Sequence, residues 1–391
     1  MYVEREIKNK FEKIAKIYPI VALVGPRQAG KTTFLKEQAK NLNSSYLLFD
    51  DPDIKEMFEE DIKKFEKQYI EGKEISILDE VNYCKGSGGK LKYLADTDKK
   101  VWLTSSSEVI LNKEVLSFLV GRVSILRLYP FSLNEFLKAK KQKEITMNIL
   151  YRLLPEHILY GGYPKVVENE DIESKKIILR DLHETIILKD ISKTFSIEDI
   201  NSLEQFVKYL SMNIGNIIQY EKITSDIRLS FKSIKKYLDA MEKSQLIYRI
   251  SPFYKNKLKE ITKQPKIYFY DTGLRNSIAN LSDPEISGSL FENYVCSELI
   301  KIGYKPKHWR TKTKAEVDFI LEVKNDVIPV EVKISSQSNK IERSLYSFIE
   351  TYKPKRAFVV FYKGEKGEKL VDNCRVIFTN VKEMLEIVSK F

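Results

Sequence analysis

Cysteine is scarce: the 391 residues hold three, Cys84, Cys296 and Cys374, far apart and without paired spacing. That excludes a disulfide framework and a zinc knuckle and fits a reducing cytoplasm. With 15 glycines and 12 prolines, a large disordered or collagen-like share is excluded as well. No stretch approaches the roughly 18 uninterrupted apolar residues of a membrane span, and residues 1–10 are charged rather than leader-like, so a soluble protein away from membranes is expected. Tryptophan occurs twice while Lys, Glu, Ile and Tyr abound, a bias shared by AT-rich genomes and heat-adapted proteomes. Acidic residues do not balance the basic ones. Against 55 Asp and Glu stand 66 Lys and Arg, a formal charge of +11 and a pI near 9.1, which favours polyanionic partners such as DNA.

The length exceeds what one core usually serves and implies several domains. Short apolar runs at 19–24, 46–49, 75–78, 101–103 and 123–128 read as five buried strands. Helical spacing between them, as at 31–41 and 90–96, predicts an α/β unit with a parallel sheet covered on both faces. Residues 86–89, GSGG, read as a loop. From 149 to 192 the spacing is helical, broken by the turn Gly161, Gly162, Tyr163, Pro164, as in a helical lid. Helices at 203–213, 220–227 and 231–244, then a strand at 246–252, follow a winged helix-turn-helix order. A basic linker carries Lys255, Lys257, Lys259, Lys263 and Lys266. The last unit runs from a helix at 290–302 through strands at 315–323 and 327–334, joined by Lys324, Asn325 and Asp326. A helix at 341–351, a strand at 357–362 and a closing strand and helix complete it. The expected partition is 1–145, 146–200, 201–275 and 285–391.

Gly25, Pro26, Arg27, Gln28, Ala29, Gly30, Lys31 and Thr32 spell G-x-x-x-x-G-K-[ST], followed by Thr33. In this pattern glycines let backbone N–H groups wrap phosphates, and the lysine reaches the outer ones. The preceding strand and following helix aim a helix N-terminus at the phosphates. Thr32 and Asp79 are the expected Mg²⁺ holders, and Glu80, ending the buried run at 75–80, the residue that polarises the attacking water. Thr104 and Ser106 are candidates to sense the γ-phosphate, although Ser105, Ser106 and Ser107 also suit a turn capping a helix at Glu108. Arg122 is a candidate arginine finger toward a neighbouring subunit, or an ordinary surface arginine.

Helix 231–244 sets Lys232, Lys235, Lys236 and Lys243 between apolar Ile234, Leu238 and Met241, so one face can pack while the other meets phosphates or simply water. Farther on, Glu292, Asp318, Glu331 and Lys333 follow the E, D, E-x-K order of the PD-(D/E)xK nuclease fold. If the hairpin turns at 324–326, Asp318 lies opposite Glu331, on the face of Lys333. Glu292, Asp318 and Glu331 would then bind Mg²⁺, with Lys333 positioning a water or stabilising negative charge. A carboxylate–lysine ladder also stabilises a hairpin by itself, so an inactive member of the fold has the same appearance.

The P-loop, LVGRVSILRLYPFSLNEFL at 119–137, YGGYP at 160–164, YFYDTGL at 268–274, SLFENYV at 289–295 and AEVDFIL at 315–321 occur in one order. Together they resemble prokaryotic AAA-family ATPases that carry a C-terminal domain of unknown function. The resemblance implies an additional-strand ATPase core with strand order 5-1-4-3-2 and a nuclease-like C-terminal fold. It also implies that Pro164 packs near adenine. Ser105 departs from it, since similar proteins place Gly there in a T-G-S-S run. The function expected is an ATP- and Mg²⁺-dependent ATPase switch coupled to a DNA-binding winged helix and a nuclease-like domain, with a homo-oligomer or protein partner open. The alternatives are a signalling or scaffold ATPase whose C-terminal domains bind protein without cutting DNA, and a nucleotide-sensing DNA-binding regulator.

Overall fold

Ile20–Val24, five consecutive apolar residues and all buried, form strand β1 at the heart of the first sheet. Such a run suits only a strand covered on both faces. Around it the computed structural model places β2 (Ser44–Leu48), β3 (Ile75–Asp79), β4 (Val101–Ser105) and β5 (Val123–Arg127). All pair in parallel in the order β2-β3-β4-β1-β5, which is 5-1-4-3-2 read from the other edge. Described are residues 2–106, 111, 115–142, 144–254, 256, 258, 260, 263–281, 283–324, 326–336 and 339–391. The expectations for Ser107, Glu108, Lys255, Lys257, Lys259 and Asn325 lie outside them.

One face of this sheet is covered by the helices Lys8–Ile17 and Lys31–Gln38, where Phe11 meets Phe34 and Trp102 edge-on at 5.1 and 4.8 Å. The other face buries Phe49, Phe58, Phe65, Leu91 and Leu94. The GSGG segment is not a loop beyond its first residue. Gly86 takes the left-handed turn at φ 66°, and Ser87, Gly88 and Gly89 open the helix Ser87–Asp96. Ser87 and Gly88 are buried, so small side chains serve close packing here rather than chain freedom.

Ser132 caps the next helix, Leu133–Ala139, reciprocally with Glu135. The helices Met147–Tyr160, Pro164–Glu168 and Ile172–Thr185 follow, the last running into a π-helical stretch, Ile186–Lys193. Then come Ile200–Met212, Tyr220–Ile227 and Phe231–Lys243, and an antiparallel ribbon of β6 (Ile247–Ile250) and β7 (Lys266–Phe269). Lys266, read from the sequence as part of a basic linker, is instead a buried strand residue.

The last unit sets helix Gly288–Lys301 against a six-stranded mixed sheet. Its strands are β8 (Lys307–Arg310), β9 (Glu316–Val323), β10 (Asp326–Ser336), β11 (Arg356–Gly364), β12 (Gly367–Val371) and β13 (Cys374–Asn380), in the order β12-β13-β11-β10-β9-β8. Both edge strands, β8 and β12, are additional to the sequence reading, because each is only four or five residues long and carries two charged side chains. One hydrophobic cluster runs from Phe131 and Leu133 through Phe206, Leu238 and Tyr268 to Phe291, Phe358 and Val388. The lid helices, the three-helix segment with its ribbon, and the C-terminal unit therefore share a core.

Candidate nucleotide and carboxylate sites

The loop after β1 can take its path only with glycine at its first position. A Cβ on Gly25 would stand 2.1 Å from the carbonyl oxygen of Leu128, and backbone cannot yield there as a flexible side chain can. Gly30 holds φ 95°, where other residues are strained. Gly25→Ala is accordingly expected to lower the thermal midpoint and abolish the stabilisation given by ATP. An unchanged ATP-induced shift in a melting experiment would contradict this.

Lys31 is buried and donates to the carbonyls of Gly25 at 2.9 Å and Pro26 at 3.1 Å. Burial pushes its pKa down, with Glu80, Asp190 and Asp79 opposing. Thr32 Oγ1 donates to Asp79 Oδ2 at 2.8 Å, as does Tyr46 Oη at 2.7 Å, and Thr104 donates to Asp79 Oδ1. Thr104 Oγ1 also accepts from the Glu80 N–H at 3.3 Å, and the Ser106 N–H donates to Glu80 Oε2 at 3.2 Å. The two sensor candidates thus hold the two carboxylates. Burial raises the Glu80 pKa, and Lys31 opposes it. Thr32 and Asp79 supply hard oxygen donors side by side, a set suited to Mg²⁺.

A cavity of about 680 Å³ opens over this loop, lined by Tyr2, Arg5, Lys31, Thr32, Glu80 and Pro164, among others. Thr33 and Gln28 line it as well. Pro164 is placed there by an interlock of two sequence motifs. Asp271, of the YFYDTGL run, accepts from the Gly162 N–H at 2.7 Å and the Leu274 N–H at 2.9 Å. A Cβ on Gly161 would lie 2.0 Å from Asp271 Oδ1. Arg27 pairs with Asp190 of the π-helical stretch at 3.1 Å, tying the loop to the lid. Arg5 reaches the Ala29 carbonyl at 2.9 Å and Glu135 at 3.0 Å. Sequence reasoning missed Tyr2, Arg5, Tyr46 and Asp190, since none lies in a phosphate-binding pattern. Arg122 stands at the far end of the sheet, its carbonyl bonded to the N–H of Ile20 and its side chain 2.6 Å from Asp96. It does not line its own chain's cavity.

In the C-terminal sheet the β9–β10 register pairs Asp326 with Val323 and Val330 with Phe319. Continued by one step, it sets Asp318 beside Glu331, and the Val332 N–H donates to Asp318 Oδ2 at 2.8 Å. Lys333 Nζ lies 2.8 Å from Glu331 Oε1 and 3.8 Å from Glu342, while Glu331 Oε2 is buried without a hydrogen-bond partner. Burial, then Glu292 and Glu331, hold the Asp318 carboxyl well above the ordinary range. Burial raises Glu331 too, with Lys333 opposing. The group that the sequence reading did not place here is Lys266. Its ammonium lies 3.1 Å from Glu292 and 2.5 Å from Glu316, and Tyr268, two residues along the same strand face, donates to Glu292. The unbroken apolar run 267–270 that follows it, the mark of a strand buried on both faces, was the signal that could have revealed it. Burial alone would lower its pKa, but Glu292, Asp318 and Glu316 outweigh that and raise it. Among the described residues no group of three His, Cys, Asp or Glu side chains is arranged to hold a metal ion. As arranged, a lysine supplies the positive charge among these carboxylates.

The parallel sheet and the Lys31–Asp79–Glu80 constellation define a P-loop domain of the ATPase type. Comparison agrees: residues 18–137 match the family described as "AAA domain". Residues 151–285 and 287–383 match two domains of unknown function, DUF8612 and DUF4143. An uncharacterized protein of Haemophilus influenzae is 25% identical over 367 residues, covering 87% of this chain and 88% of its own. One from Methanocaldococcus jannaschii is 26% identical over 398 residues, covering 97% and 85%. Among solved structures, a Walker-type ATPase of Pyrococcus abyssi is similar at 13% identity and TM-score 0.48, over 71% of this chain and 96% of that one. No helix among the described residues is long and apolar enough to cross a membrane.

Proposed function

We propose that this protein is an ATP-hydrolysing switch whose nucleotide state is passed to a winged helix and a nuclease-like C-terminal unit acting on DNA. One observation carries the coupling. Strand β7 and the turn after it connect the two sites: Lys266 lies among Glu292, Glu316 and Asp318, and Asp271 holds the Gly161–Gly162 turn that presents Pro164 to the nucleotide cavity. Five residues of extended chain span roughly 17 Å. A shift at Pro164 therefore has a short, stiff path to Lys266.

In this reading Gly25 to Thr33 cradle the phosphates. Lys31 exchanges its two loop carbonyls for phosphate oxygens, and Glu80 takes a proton from the attacking water. Mg²⁺, held through Thr32 and Asp79, supplies charge neutralisation when bound. Thr104 and Ser106 orient the two carboxylates, and Arg122 serves only a neighbouring subunit's site. The three helices and ribbon supply the winged helix, with Lys232, Lys235 and Lys243 outward for phosphates. Lys236 is partly engaged by the Ser196 carbonyl at 2.9 Å.

Lys266 also favours a second reading, in which the C-terminal unit cuts nothing and binds a protein partner, because the carboxylates that would take a metal already face an ammonium. Incubating plasmid and linear DNA with purified protein and Mg²⁺ or Mn²⁺, with and without ATP, separates the two. The first reading expects cutting that depends on ATP and is lost in Asp318→Ala and Lys333→Ala. Equal background cutting by all three proteins would leave the binding module.

A further inference from the structure

A cleft of about 1030 Å³ lies away from the P-loop cavity, between β5, the end of helix Phe231–Lys243, the β6–β7 ribbon and the end of helix Gly288–Lys301. Its wall carries three tyrosines, with Tyr270 in contact with the other two. Tyr129 and Tyr270 stack at 5.3 Å with 15° between planes, and Tyr248 meets Tyr270 edge-on at 5.7 Å. Tyr129 is half-buried. Gln245 lines the same cleft and is 6% exposed, yet neither end of its amide has a hydrogen-bond partner. Leaving a buried amide unpaired costs stability, so the position asks for a partner from outside the chain. At the rim stand Lys10, Lys243 and Lys305, exposed and without ion-pair partners among the described residues.

We propose that this cleft is a second nucleotide site, distinct from the P-loop, which takes an adenine nucleotide. An aromatic platform binds any base through its π-face. A glutamine amide, donor and acceptor side by side, matches the adenine edge, whose amino group donates and whose ring nitrogen accepts. The rim lysines meet the phosphate. The cleft volume accommodates a mononucleotide. The same chemistry is presented by a free nucleotide and by the 5′ end of a single-stranded DNA.

The test uses the full chain carrying Lys31→Ala, so that P-loop binding is removed, and AMP as the probe in calorimetric titration. Expected are one AMP per chain and, for CMP, an affinity about tenfold lower or worse. Gln245→Leu in the same background is expected to weaken AMP at least about tenfold without loss of thermal stability, because it removes an unpaired amide while keeping the side chain's bulk. Tyr129→Ala should weaken AMP and CMP alike. Competition by 5′-phosphorylated dA10 assigns the site to DNA ends; AMP binding without competition assigns it to free nucleotide. No AMP bound by the Lys31→Ala protein, or equal AMP affinity in Gln245→Leu, overturns the proposal. ATP binding to the otherwise wild-type Gln245→Leu chain, measured alongside, reports separately on the P-loop.

Discussion

Exchanging Glu80 for glutamine is expected to slow ATP turnover about 10²- to 10⁴-fold, the usual contribution of a positioned general base. Nucleotide affinity should stay within about twofold, because the loop and Lys31 are untouched. Glu80 is the residue at issue for geometric reasons. It follows β3 at φ 61°, lines the nucleotide cavity, and is fixed by the Ser106 N–H on Oε2 and by its own N–H on Thr104. Glutamine preserves size and one acceptor but cannot take a proton. Burial raises the Glu80 pKa, so its proton-accepting form is lost as pH falls at a point above that of an ordinary carboxylate. The wild-type pH profile should therefore drop on the acid side earlier than an exposed glutamate allows, and the residual Glu80→Gln activity should lack that limb. Lys31→Ala, in contrast, should lose binding as well as turnover. Turnover in Glu80→Gln equal to wild type would remove Glu80 from the base role.

Those residues were readable because local pattern and chemistry coincide there. G-x-x-x-x-G-K-T needs only contiguous residues, and the buried run at 75–79 announces a strand that ends in a carboxylate pair. The β9–β10 register was readable for a similar reason: a short turn sets the pairing, and Asp318 falls beside Glu331 without knowledge of the rest of the fold. What stayed hidden depends on contacts distant in sequence. Asp190 reaches Arg27 across 163 positions, and Asp271 reaches Gly162 across 109. Neither spacing leaves a periodic trace. Lys266 is the instructive case. In a stretch with several lysines it reads as one more solvated charge. In the fold it opens a strand buried on both faces, where Glu292 and Glu316 offset its desolvation.

That offset makes Lys266 the position with the largest expected effect on stability. Lys266→Ala leaves Glu292, Glu316 and Asp318 facing one another without the ammonium, and breaking a buried ion network from one side costs about 3–5 kcal/mol. Urea denaturation at neutral pH measures this directly. The pH dependence has a definite sign. Asp318 and Glu331 are raised above the ordinary carboxylate range, chiefly by burial, so the folded chain holds their protons more tightly than the unfolded one does. A raised carboxylate favours folding at low pH and loses that contribution as pH rises through its folded value. Lys266 opposes the rise at Asp318, so removing it raises that carboxyl further, and the deficit of the variant should shrink on acidification from pH 8 to pH 5. A deficit that grows on acidification would mean that the lysine is not balancing ionised carboxylates. Divalent cations then discriminate between the two roles of the C-terminal unit. If Glu292, Asp318 and Glu331 form a metal site that Lys266 closes, millimolar Mg²⁺ or Mn²⁺ should restore stability to Lys266→Ala and leave the wild type unchanged. If the cluster is structural, with the lysine as a permanent member, neither ion should restore it. The first outcome gives the proposed nuclease-like unit a metal site that Lys266 occupies in this structure, and the second leaves the unit as a binding module.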